Sequence, residues 1–491
     1  MNANPNIVLI YTDQQRWDTI AALGNRLIKT PNLDRLCRTG TAFDHAFVNC
    51  PVCMPSRMSM LSGRYPAALG IANNGVEMPP DIECVQHILG RYDYRTANIG
   101  KLHFRNHAGF GRDHRDPHPS YGFETMINSD EPGCYDDAYI KWVERRDPSA
   151  VELCRADTPP AWMGEPIHKQ PRDVPNPYVF AGPEHLTHTA FVAEETCNYI
   201  RRHADDQFFC IAGVYAPHCP INPPQRFVDM YDPAEMPLPA RRDDENFVDR
   251  QTGEPVSDDQ WRKVKAYYYA LVSHIDHQVG RIIDTIEELG LRENTLIVFT
   301  ADHGENLGDH GLVAKGQAYD SSSRVPLVFS MPGTIEQDRV VDDIVEAVDI
   351  VPTFLDLATV QKPREMRGTS LYAAMAAITE HGAPAASSPS AGGPGSNGRS
   401  QAAGPDGRRA AFIELGSEQH GRHYKAVRTK EYLYVCSRDG SEELYLLQDD
   451  PDQLSNVIDD PAGAETLKAA RKELVLRTFD AGLERRRTAQ Y

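Results

Sequence analysis

Two short apolar runs, each closed by an acidic residue beside a second metal-ligand type, constrain the fold of this chain more than any other feature. The first is Asn6-Ile-Val-Leu-Ile-Tyr-Thr-Asp13, followed by Gln14; the second is Leu296-Ile-Val-Phe-Thr300, followed after one alanine by Asp302-His303. Each is too short for a helix and lacks a polar face, which fits a strand covered on both sides. Residues 94–100, 208–215, 295–300 and 326–330 also read as strands, with helices near 81–91, 185–203, 257–289 and 341–358. Thr30 is expected to cap a further helix that opens on Pro31 and runs to Gly40. The long helix after Ser257 puts Val264, Tyr268, Leu271, Ile275, Val279 and Ile282 on one stripe. Strands alternating with helices predict an α/β sheet covered on both faces.

In such a sheet, ligand sites gather at the carboxyl ends of the strands. Asp13, Gln14, Asp302 and His303 then offer two carboxylates, an amide oxygen and an imidazole, a donor set for a divalent cation. Either pair alone reads equally well as a cap on the next turn.

The length of 491 residues exceeds one ordinary core and predicts a large domain with a smaller one. The expected boundaries are a catalytic domain over 1–375, an Ala/Gly/Pro/Ser-rich disordered insertion over 376–410, and a small α+β domain over 411–491. In the last, short strands near 411–415, 423–428, 432–436 and 443–447 precede an amphipathic helix from about Ala464 to Leu483. A formal charge of −19 argues against nucleic acid or an anionic membrane surface as partner, so an anionic substrate needs a locally basic pocket. The ten cysteines form no dense disulfide pattern, and the start lacks a basic and apolar leader, which together read as a cytoplasmic protein. No stretch reaches the roughly 18 apolar residues of a membrane span.

Four further motifs carry chemistry. Cys53-Met-Pro-Ser-Arg57 is followed by Leu61-Ser-Gly-Arg64, and Gly100-Lys101-Leu-His103 and Tyr215-Ala-Pro-His218 each follow a predicted strand. Strand spacing allows Lys101 and His103 to share one face. The fourth motif runs from Asp302-His-Gly-Glu through His310 to Lys315-Gly, with Arg324-Val-Pro-Leu beyond it. A lone histidine or lysine on a loop is more often solvated surface; here order and strand-end placement favour function. A thiolate is a soft ligand, poorly matched to an oxygen-rich cation site. Arg57 lies one helical turn beyond Cys53 if a helix opens there, and a helix N-terminus favours an anion.

These motifs resemble those of the sulfatases: C-x-P-S-R with L-[ST]-G-R, G-K-x-H, x-P-H, and D-H-G-x-x-x-G-x-H-x-L-x-x-K-G. The resemblance covers Asn6 to about Leu357 and resumes weakly in the C-terminal part. It implies an alkaline-phosphatase-like fold, with a large mostly parallel sheet and a small antiparallel domain. It implies a cysteine oxidised to formylglycine by a maturase, whose hydrate attacks a sulfate ester and releases alcohol and inorganic sulfate. By the same resemblance Asp13, Gln14, residue 53, Asp302 and His303 hold one divalent ion, with calcium expected and manganese the alternative. Asn74, Lys101, His218 and Lys315 bind the anion, and Arg57 steadies the alkoxide at 53. His218 or Lys315 serves the leaving oxygen, and His103 takes the proton that releases sulfate. A homo-oligomer is left open.

Two departures bear on the substrate. Many sulfatases have Asp-Asp where this chain has Asp13-Gln14, and Asp-Asn where it has Asp302-His303; the phosphonate monoester and phosphodiester hydrolase branch shares the present pairs. That branch tends to carry Tyr and Thr where this chain has Lys101 and His103, which favours sulfate. Competing readings are a noncatalytic sulfated-glycan binder and a thiol-redox protein using Cys50 and Cys53. His107, His114, Arg115, His118 and Arg172, among many prolines, are expected on loops over the pocket.

Overall fold

The computed structural model describes residues 4–482, except 72, 106–118, 135, 156–173, 250–251, 378–407 and 418–421. The predicted insertion, apart from its ends, and the histidines and arginines expected on pocket loops lie outside the described residues.

Eight strands form the large sheet: β1 (Asn6–Asp13), β2 (Thr41–Phe47), β3 (Arg95–Gly100), β4 (Thr125–Asn128), β5 (Phe208–Pro217), β6 (Thr295–Ala301), β7 (Leu327–Ser330) and β8 (Arg339–Glu346). Their order is β4-β3-β5-β1-β6-β7-β2-β8. Only β7 runs against its neighbours β6 and β2; the other pairings are parallel. The expected α/β architecture is therefore present. Strand alternation fills two cores at once. On β1, Val8 and Ile10 enter one apolar cluster while Ile7, Leu9 and Tyr11 enter the other. On β6, Ile297 and Phe299 oppose Leu296 and Val298 in the same way. That is why these runs carry no polar face.

The helices that matter here are α1 (Pro31–Arg38), α2 (Cys53–Ser62), α3 (His188–Arg202), α4 (Asp258–Glu288), α5 (Ile350–Leu357) and α6 (Ala464–Ala481). The predicted stripe of α4 is buried from Val264 to Ile282, and Ser257 caps it by accepting from the Gln260 amide. Thr30 sits at the N-cap position of α1, but its side chain does not cap the helix. The amides of Asn32 and Leu33 donate instead to Asp276 of α4, at 2.9 and 2.7 Å. A tertiary carboxylate has replaced the local cap.

Residues 339–346, expected in part as helix, form strand β8 instead. Val340, Val341, Ile344 and Val345 are β-branched, and β2 pairs alongside them. The strand β2 and the short β4 carried no clear sequence signal.

A second, antiparallel sheet contains β9 (Ala411–Ser417), β10 (Arg422–Arg428), β11 (Tyr432–Ser437) and β12 (Glu442–Leu446), with α6 packed on it. The amphipathic face expected on α6 is incomplete. Leu467 and Leu474 pack inward, whereas Phe479 is 77% exposed. No helix among the described residues is long and apolar enough to cross a membrane.

Candidate active site

The four central strands β3, β5, β1 and β6 are adjacent and parallel, so their carboxyl ends open on one side of the sheet. Lys101 follows β3, His218 follows β5, Asp13 ends β1 and Asp302 follows β6. Strand β2 runs in the same sense, because β7 is antiparallel to both β6 and β2. Residue 53, just beyond β2, therefore arrives at the same edge. Five segments far apart in sequence meet there because parallel topology leaves them no other end.

Cys53 is the first residue of α2, a helix whose every residue is buried. Its Sγ lies 3.1 Å from His303 Nε2 and 3.9 Å from Asp13 Oδ1. His303 Nε2 in turn lies 3.6 Å from Asp13 Oδ1 and 3.5 Å from Asp302 Oδ1. One ligand atom from each of Asp13, Cys53, Asp302 and His303 falls within 4.8 Å of all the others. His303 Nδ1 is 2.9 Å from the Gly304 carbonyl, which fixes the proton there and turns the Nε2 lone pair inward. Two buried carboxylates and a bare imidazole nitrogen at this spacing fit a divalent cation.

The cations are placed just as closely. Lys101 pairs with Asp13 Oδ2, and its ammonium sits 4.7 Å from the centre of the Tyr215 ring. Burial would raise the Asp13 carboxyl, but Lys101 above all, with Lys315 and Arg57, holds it well below the usual carboxylate range. Arg57 does not point only at residue 53. Its Nε donates to Asp302 Oδ2 at 2.7 Å and its Nη1 to the Lys101 carbonyl at 3.0 Å, while Nη2 has no hydrogen-bond partner. Lys315 Nζ donates to Gln14 Oε1. Burial and then Lys315 push His218 well below its ordinary value, and its Nδ1 lies 2.8 Å from the Cys219 carbonyl.

Gln14, at φ +66°, bridges rather than simply faces the cluster. Its backbone N–H donates to Asp302 Oδ1 at 3.0 Å, and its side-chain amide joins Glu305 to Lys315. Asn74 accepts the Met54 amide at 2.9 Å, satisfying an orphan donor in the first turn of α2. Lys101 and His103 leave strand geometry altogether. Gly100 takes φ +90°, and a Cβ there would lie 2.1 Å from the Gly213 carbonyl oxygen, which explains the glycine before the lysine. His103 itself has φ +57°.

Two organising residues escaped the sequence reading. Asp130 Oδ1 accepts the amides of Leu102 and His103, at 2.7 and 2.9 Å, and so shapes the turn that presents them. Glu305 Oε1 accepts the amides of Leu307 and Ala314, at 2.9 and 2.6 Å, which folds the loop that returns Lys315 to the site. Glu305 had a signal, an acid inside the Asp302 motif; Asp130 had none.

A family model for sulfatases matches residues 5–360. This chain belongs to the sulfatase family. Within that family it is 28% identical to an arylsulfatase of Clostridium perfringens, over 96% of this chain and 94% of that protein. It is also 28% identical to a multifunctional alkaline phosphatase superfamily protein of Trinickia caryophylli, over 74% of this chain and 76% of that one. Among solved structures, the phosphonate monoester hydrolase of Agrobacterium radiobacter shares the fold at TM-score 0.78 and 24% identity, covering 97% of this chain and 96% of that one. The alkaline-phosphatase-like architecture is thereby established, and the family makes this chain a sulfuric ester hydrolase.

Proposed function

We propose that this sulfatase hydrolyses sulfate monoesters at the strand-end cluster, with Cys53 oxidised to formylglycine. The observation that carries the reading is the position of Cys53 Sγ, 3.1 Å from His303 Nε2 and 3.9 Å from Asp13 Oδ1. Asp13, Asp302, His303 and residue 53 would hold the divalent ion, with Gln14 beside them. The oxidised residue would supply a hydrated aldehyde as nucleophile, and the bound ion, calcium before manganese, would supply the positive charge that eases loss of its proton.

The chain's own residues do the rest. Lys101 and Lys315 bind the anionic group, and Asn74 sets the start of α2 against it. Arg57 fixes Asp302 and leaves Nη2 to steady oxygen charge at residue 53. Lys315 is held protonated, because Cys53, Asp13 and Asp302 outweigh the burial that opposes its charge. It is therefore the resident acid for the leaving oxygen, while His218, kept neutral with its Nδ1 proton on the Cys219 carbonyl, offers a bare Nε2 that accepts from the alcohol once Lys315 has protonated it. His103 takes the proton whose removal frees sulfate. We infer a catalytic unit over 1–375 and a small unit over 411–491, with 376–410 between them; the separate four-stranded sheet supports this reading.

Coexpression with a formylglycine-generating maturase tests the reading. Mass spectrometry should find an aldehyde at residue 53, and the matured protein should release sulfate from esters in a chelator-sensitive way. Matured protein that releases none would overturn it. The Gln14 and His303 pairs favour a second reading, phosphonate monoester or phosphodiester hydrolysis at the same residues. Paired kinetics on a sulfate and a phosphonate ester of one phenol separate the two; Lys101 and His103 favour sulfate.

A further inference from the structure

A cavity of about 370 Å³ opens beside His218, within the size range of small-molecule sites. Tyr215 and His218 line it and also border the cluster at the strand ends, so the two spaces share a wall. One neighbour of the Tyr215 ring is the Lys101 ammonium. Others are the rings of His218 and His188, at 4.8 and 6.4 Å between centroids.

Among the described residues, the lining bears no net charge to spare. Its charged members are Arg155 and Glu152, and Arg155 is paired with Asp136 at 2.6 Å and with Glu152 at 3.4 Å. Burial lowers His188 and His274 to about 3 and His218 well below its ordinary value, so all three rings are neutral at physiological pH. Tyr139, Phe180, Leu153 and Leu271 make much of the remaining wall apolar. A carboxylate or second sulfate placed here would be stripped of water without a free countercharge among the described lining residues, a large cost.

One polar group is left over. His188 is buried, and neither ring nitrogen has a hydrogen-bond partner. The Ser129 backbone lies near enough to favour the protonated ring slightly, without meeting hydrogen-bond geometry. Buried polar groups are rarely left so, which marks His188 as a contact for something that enters.

We propose that this cavity receives the alcohol side of the substrate, and that it selects a compact, uncharged apolar alcohol rather than a polyanionic sugar, with His188 as its polar contact. The proposal rests on the hydrolytic reading above for the word alcohol, but the binding preference can be measured without catalysis.

Two phenols of similar size serve as probes, neutral 4-ethylphenol and anionic 4-hydroxyphenylacetate. Ligand-observed NMR titration of unmatured protein should favour the neutral phenol at least tenfold. The matured enzyme should show the same preference in kcat/KM for their sulfate esters. Leu153 is 48% exposed at the cavity wall, so Leu153→Arg should fold and should shift both ratios towards the carboxylate by tenfold or more. Equal binding of the two phenols, or ratios unmoved by Leu153→Arg, would overturn the proposal. If the phenols bind as expected but neither ester is hydrolysed, the hydrolytic reading falls and the cavity assignment stands. If both esters are hydrolysed without a charge preference, the reverse holds.

Discussion

Two of the protein's buried charge clusters are built to different rules. Where the small sheet meets the large one, Glu346 and Asp349 face Arg408 and Arg477, two charges against two. Every carboxylate oxygen there is occupied. Glu346 Oε1 accepts from Asn49, Phe412 and Arg477; Oε2 accepts from Tyr65 and Arg477 and pairs with Arg408. Asp349 accepts from Arg408 through both oxygens, and also from Thr369 and from the Glu346 amide. At the strand ends, by contrast, Lys315 spends its ammonium on the neutral amide of Gln14, Arg57 keeps Nη2 without a hydrogen-bond partner, and His303 turns a lone pair inward. The network between the sheets occupies all its carboxylate oxygens, although Arg477 Nε there has no hydrogen-bond partner. On the proposed reading, the strand-end cluster is left short of a cation and an anion, and that shortfall is the binding site.

The sharpest break of this contrast is chemical. Cys53→Ser in matured preparations should lower kcat/KM by on the order of 10⁴-fold or more, since removal of a nucleophile leaves only binding and charge stabilisation. Circular dichroism and the thermal midpoint should stay near those of the parent.

Next comes stability. Arg477→Ala leaves the buried Glu346 and Asp349 sharing one arginine, Arg408, and should cost about 3–5 kcal/mol in urea unfolding, with kcat of the folded fraction unchanged. Added calcium should not restore it. Arg57→Ala strands Asp302 comparably, yet calcium should recover much of that loss, because the ion can supply the missing positive charge. Equal calcium rescue of both variants would erase the distinction between the clusters.

Acid should separate the regions more gently. His188 and His274 have folded values near 3 against about 6.5 unfolded. Between those values the unfolded chain binds more protons, so stability rises with pH there and is lost as the solution is acidified below about 6.5. The slope is about 1.4 kcal/mol per pH unit for each histidine. At the Glu346–Asp349 cluster, the shifts oppose. The arginines win over burial at Glu346 and lower it, whereas burial wins at Asp349 and raises it. Protection factors, with the intrinsic exchange rate at each pH divided out, should therefore fall between pH 7 and 5 around α3 and α4 before they do around α6.

How much of this was legible in the sequence follows from what each residue depends on. Strands β1, β5 and β6 could be read because burial on both faces leaves an apolar run. Asp13, Asp302 and His303 could be read because they close such runs. Strand β8 was missed because an edge strand interrupts its β-branched residues with exposed acids. The cap of α1 was missed because its acceptor, Asp276, is supplied from 244 residues away. The motif positions also suggested Arg57 as a partner of residue 53, while its main bond, to Asp302, depends on how α2 packs under β6. Local pattern gave the parts, and topology gave the contacts among them.

Asp130 is the smallest and most discriminating case, because nothing near it in sequence looks catalytic. It is fully buried, and one of its oxygens holds the two amides that present Lys101 and His103. Asp130→Ala should leave both amides without an acceptor, at about 1–3 kcal/mol, and lower kcat by about tenfold, with KM little changed. Asp130→Asn keeps an oxygen in the same place and should restore most of that loss. A purely electrostatic role would fail the rescue, because the charge is absent in both variants. Recovery in Asn alone would identify Asp130 as a positioning residue that works through the shape of the turn.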